Sequence, residues 1–213
     1  MSEPLDSTTV ALQRGAAPGR GLEIAQHISR ILHPMILGVM SFFLVGLFGT
    51  GQPVFGLLWA LLGIALLIIP PTFFFIWRLR QGAYTDEDVS NRRQRHELYA
   101  FSALTLVVGL LVLSLLKAPI IFIELLICAM AMTIAAALIN LFWKISVHAL
   151  SISSFATLAT ILWLPLGLLS WIGVMAVAWA RIRTRNHTPL QVLAGAALSV
   201  IVIWTVFSIF GWV

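Results

Sequence analysis

From Met35 to the C-terminus the chain is a succession of apolar runs, parted by short connections that are either polar or rich in proline and glycine. A hydrocarbon core of about 30 Å needs roughly 20 apolar residues of helix, and only a helix or a closed barrel satisfies its own backbone there. Runs of this length recur several times. With 60% of the 213 residues hydrophobic and 10% charged, a soluble domain is excluded. The expectation is an all-α, polytopic membrane helix bundle.

The first span is read from about Met35 to Phe48, and Gly49 to Pro53 forms a tight turn into a second from about Val54 to Trp77, kinked at Pro70-Pro71. A third runs from about Leu98 to Leu116, and the turn Lys117-Ala-Pro119 leads to a fourth from Ile120 to Trp143. Ser146 is a helix cap for a fifth span ending near Leu164, and Pro165-Leu-Gly167 is read as the turn into a sixth from Leu168 to Ala180. Thr188-Pro189 has the cap-then-proline pattern that starts a seventh. Because spans five and six are short and parted only by Pro165 and Gly167, the count is six or seven. Leu22 to Leu32 places Leu22, Ile24, Ala25, Ile28, Ile31 and Leu32 mostly on one side, as in an N-terminal interfacial helix. Residues 1–20 are expected to be a flexible tail without the apolar region of a signal peptide, and 21–213 a single membrane-embedded domain.

Polar residues concentrate in three connections: Asp86 to Arg95, Lys144 to Ala149, and Arg181 to Gln191. Two spans separate each from the next, so all three fall on one membrane face. That face collects Arg14, Arg20, Arg30, Arg78, Arg80, Arg92, Arg93, Arg95, Lys144, Arg181, Arg183 and Arg185, against Lys117 opposite, so the positive-inside rule makes it cytoplasmic. The net charge of +5 lies between spans rather than along a soluble face, which points to anionic lipid or a phosphate headgroup and away from nucleic acid. The single cysteine, Cys128, sits in an apolar run and supports neither a disulfide framework nor a thiolate metal site.

With Ser146 and Thr188 as caps, His148 falls in the first turn of span five and His187 just outside the start of span seven. Both border helix N-termini, where unbonded N-H groups and the dipole favour an anion. Arg95 and Arg181 add planar forks that match phosphate oxygens. Ser146 and Arg92 join them as candidate phosphate contacts.

The spacing Arg181-x5-His187-x3-Gln191, the Ser146-Val147-His148-Ala149 segment and Arg95 together resemble the type 2 phosphatidic acid phosphatase superfamily, the lipid phosphate phosphatases and vanadium haloperoxidases. That family carries K-x6-R-P, P-S-G-H and S-R-x5-H-x3-D, and Ala194-Gly195-Ala196 continues in its style. The resemblance covers roughly Asp86 to the C-terminus. It implies a membrane phosphatase that hydrolyses a lipid phosphate or isoprenyl (di)phosphate through a phosphohistidine. His187 would be the nucleophile, His148 the acid for the leaving alcohol, and Arg95 and Arg181 the holders of the equatorial oxygens, with no metal or other cofactor required.

The departures have chemical weight. Gln191 stands where the family has the aspartate that orients the nucleophile, Asp88 where it has lysine, His96 where it has proline, and Val147 and Ile145 replace glycine and proline. Removing the equivalent charge from a serine-protease triad lowers turnover about 10⁴-fold, about 5 kcal/mol of barrier. A second reading is therefore an inactive member that binds anionic lipid or serves as a structural subunit of a membrane complex, and a third is a transferase that passes the phosphoryl group to an alcohol. Expected partners are the lipid substrate and membrane lipids, with a homo-oligomer compatible. Asp86 and Asp88 are weak metal candidates beside the simpler reading of a solvated acidic turn. Glu124 is read as a snorkelling carboxylate, His27 and His33 as interfacial residues, and Trp77, Trp143 and Trp163 as an aromatic belt.

Overall fold

The computed structural model describes residues 19–86, 89 and 91–213, and these form helices with no strand among them. Helices α1 (Arg20–Ile31) and α2 (Pro34–Phe48) meet at a bend of 42°. Helices α3 (Pro53–Leu67) and α4 (Ile69–Arg80) are halves of one apolar run, and a 3-10 turn (Arg92–Arg95) leads into α5 (His96–Leu115). Helices α6 (Ile120–Phe142), α7 (Val147–Leu162), α8 (Leu164–Arg183) and α9 (Pro189–Ile209) follow.

Among the described residues five segments are long and apolar enough to cross a membrane: α3 with α4, the 3-10 turn with α5, α6, α8 and α9. The bent pair α1 and α2 makes a sixth if taken as one span. Helix α7 has 16 residues and rises about 24 Å, short of a full crossing. It does not face lipid: α2, α8 and α9 surround it, and Ile152, Phe155, Ala156, Leu158 and Ala159 are all buried. Outward, large apolar side chains are exposed, Leu115 at 81% and Phe142 at 85%, as suits a hydrocarbon solvent. The chain is an all-α, multi-pass membrane bundle.

Four helix starts follow one rule. Pro34, Pro53, Pro165 and Pro189 lie in the first turn of α2, α3, α8 and α9, where a backbone N-H has no intrahelical acceptor to lose. This corrects the turn expected at Pro165 to Gly167: the chain breaks two residues earlier, at Trp163, whose φ of −156° ends α7, and α8 begins at Leu164 with both residues inside it. The kink expected at Pro70-Pro71 appears as a break at Ile68, because neither proline can donate back into the preceding turn. Glu124 also departs from expectation: it is 1% exposed within the bundle and does not snorkel to the surface. Arg20, assigned to the tail, is the first residue of α1, and residues 1–18 of that tail lie outside the described residues.

Candidate phosphate-binding site

The three polar connections meet at one end of the bundle, and hydrogen bonds join them. Arg95 in the 3-10 turn donates through Nη1 to the Ile145 carbonyl in the α6-α7 connection at 3.2 Å. In turn Ser146 N donates to the Gln191 carbonyl at 3.2 Å, and Lys144 Nζ to the Asn186 carbonyl at 2.9 Å. Close approach of α9 to the start of α7 depends on Gly195, where a Cβ would lie 2.5 Å from the Ser146 carbonyl oxygen.

Thr188 and Gln191 close a capping box. Thr188 Oγ1 accepts from Gln191 N at 3.4 Å, while Gln191 Oε1 accepts from Thr188 N at 3.2 Å. The second bond identifies the amide oxygen, because a backbone N-H needs an acceptor. The same oxygen lies 3.1 Å from His187 Nδ1. Nδ1 must therefore be the donor, and in the neutral ring Nε2 keeps its lone pair. Neutrality is favoured: burial, then repulsion by Lys144, Arg181 and Arg95, lowers the His187 pKa from 6.5 to about 3 against the opposing effect of Gln191. Gln191, standing where the family's orienting aspartate would be, thus bonds the imidazole through its oxygen, and the bond selects one tautomer.

His187 lines a cavity of about 310 Å³ together with Arg95, His148 and Arg181, the four residues singled out for phosphate chemistry. Arg181, 1% exposed, comes from the last turn of α8, and its carbonyl accepts from His187 N at 3.2 Å. His148 comes from the first turn of α7, where Ser146 Oγ caps Ala149 N at 3.3 Å. Arg95 Nε donates to the Val89 carbonyl at 2.8 Å, so two backbone acceptors fix its guanidinium plane. Val89 itself has φ 44°, a left-handed conformation costly for a β-branched residue and worth of order 1–3 kcal/mol of strain.

Other expected residues fall elsewhere. Arg92 is not brought to the cavity: its Nη1 donates to the carbonyls of Asn140 (3.1 Å) and Leu141, and Asn140 Nδ2 returns a bond to the Arg92 carbonyl at 2.9 Å. A cation on the last carbonyls of α6 complements that helix end. Ser146 is wholly buried and does not line the cavity, and its hydroxyl oxygen accepts from Ala149 N as the helix cap. Asp86 accepts from Thr85 Oγ1 at 3.1 Å, and Asp88 lies outside the described residues. No group of three metal-ligating side chains occurs among the described residues.

Two contributors escaped the sequence reading. His33, treated as interfacial, lines the cavity with its ring edge-on to His148 at a centroid distance of 5.4 Å. Its Nδ1 caps α2 by accepting from Met35 N at 3.3 Å, so the neutral ring carries its proton on Nε2. The His33-Pro34 cap signature was legible, but nothing local says that the α1-α2 elbow reaches the site. Lys144, held by Asn186, is the largest charge contribution at His187. It stands in the connection itself, whereas the lysine of the resembled family would precede Arg95.

The site thus joins a buried imidazole of defined tautomer to the buried guanidinium groups of Arg95 and Arg181, with His148 and His187 bordering the starts of α7 and α9, an arrangement suited to an anion with several oxygens. No protein-family model, curated protein or solved structure matches the chain.

Proposed function

We propose that the chain is a membrane phosphatase acting on a lipid phosphate or isoprenyl (di)phosphate, a divergent relative of the type 2 phosphatidic acid phosphatases. The observation that carries the reading is the Gln191 oxygen, which engages His187 at Nδ1 and keeps the Nε2 lone pair within a cavity also lined by Arg95, Arg181 and His148. His187 Nε2 attacks phosphorus, forming a P-N bond as the P-O bond to the alcohol breaks, and His148, protonated when the phosphate anion occupies the pocket, gives that proton to the departing oxygen. Water then attacks the phosphohistidine, His148 takes its proton, and the P-N bond breaks to release inorganic phosphate. Arg95 and Arg181 hold the equatorial oxygens throughout.

Phosphate release from phosphatidate, lysophosphatidate, prenyl phosphates and prenyl diphosphates, by purified protein and His187→Ala, with and without magnesium, tests this. Release by the wild type falling to background in the variant is the expected result. Absence of release by folded wild type across the panel overturns it and favours the inactive, anion-binding reading, for which the uncharged Gln191 is the specific support. The membrane is proposed to be the cytoplasmic one with the site on its inner face, from the arginine distribution. A cysteine introduced at Asn91 should then resist impermeant thiol reagents in intact cells, and ready labelling there reverses the orientation.

A further inference from the structure

A second cavity, of about 300 Å³, adjoins the basic one and shares Pro34, Ile68, Pro71, Tyr99 and Val147 with it. From these shared residues it runs into the bundle between α2, α5, α6 and α7, ending among Phe42, Leu125 and Leu158. Val147 to Leu158 on α7, and Ala136 to Leu125 on α6, each span eleven steps of helix, a depth of about 16 Å. Ile68, at the break between α3 and α4, lines both cavities, so the bend forced by Pro70-Pro71 lies at the junction.

The walls are less polar than their residue types imply. Of the seven hydroxyl-bearing residues that line it, Ser41, Thr105 and Ser154 each donate to a carbonyl of their own helix at 2.8 Å, which uses those protons within the helices. Among the described residues no charged side chain lines it. An apolar chamber opening on a basic pocket matches one kind of molecule, an anion at the end of a hydrocarbon. At about 300 Å³ the chamber stands at the small end of ligand pockets, so one hydrocarbon chain extended along its depth fits and two long acyl chains do not.

We propose that this chamber binds the hydrocarbon chain of the substrate, making the preferred substrate a single prenyl or acyl chain with a terminal phosphate. The proposal rests on the anion-binding reading of the adjoining pocket. Small residues on α6, Ala129 and Ala136, make the room, and Tyr99 on α5, one helical turn beyond Arg95, marks the boundary between head and chain.

A prenyl phosphate of fifteen carbons with a diazirine at its far end, photolysed on the full chain in nanodiscs, should label α6 between Leu125 and Met132, and inorganic phosphate should reduce the labelling. Labelling confined to outward residues such as Leu104 and Leu111 overturns the proposal, because both are exposed on α5. This measurement needs no turnover, so an inactive wild type counts against the hydrolase reading alone. Ala129→Phe, which fills the chamber, should lower the ratio of kcat/KM for the prenyl phosphate to that for a small aryl phosphate at least tenfold. Both rates come from one preparation, so partial misfolding cancels. An unchanged ratio, or hydrolysis of diacyl phosphatidate as fast as of the prenyl phosphate by wild type, overturns it as well.

Discussion

The two ends of the bundle are closed by different kinds of bond. At the site end the connections hold one another: Arg95 reaches Ile145, Ser146 reaches Gln191, and Arg92 and Asn140 exchange bonds across about fifty residues of chain. At the opposite end each turn closes on itself. Thr50 Oγ1 donates to the Gly46 carbonyl, and Lys117 N and Ala118 N donate to the carbonyls of Ser114 and Leu113. An apolar tie between turns there is Phe48 stacked on Trp163 at 5.1 Å. A locally bonded turn tolerates change because its neighbours do not depend on it, whereas the site end is one network in which a shift in any connection moves the others.

The largest expected contrast comes from glycine. Gly195→Ala pushes a Cβ against the Ser146 carbonyl and should cost about 3 kcal/mol, with loss of phosphate release, since overpacking of this kind costs about 1–3 kcal/mol. Gly51→Ala, at φ +67° with open space around it, should cost only about 1 kcal/mol and spare activity. Thermal melts in detergent read both, and equal losses would erase the distinction between the ends.

Next in size is Gln191→Glu, which keeps the capping box and places a charge beside His187 Nδ1. Turnover should rise at least tenfold, within the about 10⁴ that such a charge contributes in a serine-protease triad. A fall in turnover would mean that the neutral amide is required and not a loss.

A smaller effect is expected with pH. His187 has a folded pKa of about 3 against an ordinary 6.5, so below 6.5 the unfolded state takes up a proton that the folded state refuses. Its contribution is present above 6.5 and declines as pH falls towards 3. His187→Gln should therefore lose less of its melting temperature between pH 7 and 4 than the wild type does. Parallel profiles would place the acid sensitivity outside His187.

Much of the site was legible because its signals are local. Caps and first-turn prolines state where helices begin, so Ser146 and Thr188-Pro189 were placed correctly, and with them the two histidines. An even number of spans between connections brought Arg95, His148, Arg181 and His187 to one end. Arg92 and Arg95 show where this stops. Three residues apart in one 3-10 turn, both were candidate phosphate contacts, yet one caps α6 and the other lines the cavity. Pro165-Leu-Gly167 misled because proline and glycine serve a helix start as readily as a turn, and the deciding break was the extended backbone at Trp163.

By itself the amino-acid order determined the class of fold, the helix starts and the end of the bundle at which the chemistry-bearing residues gather. Hydrophobic length, capping and proline geometry act within a turn or two of helix and need no partner. Only the tertiary structure decided that His33 joins the cavity, that Glu124 is buried, that α7 is enclosed by its neighbours, and that an apolar chamber continues inward from the basic pocket. Those outcomes depend on which faces of separate helices pack together, a long-range matter that no local spacing encodes.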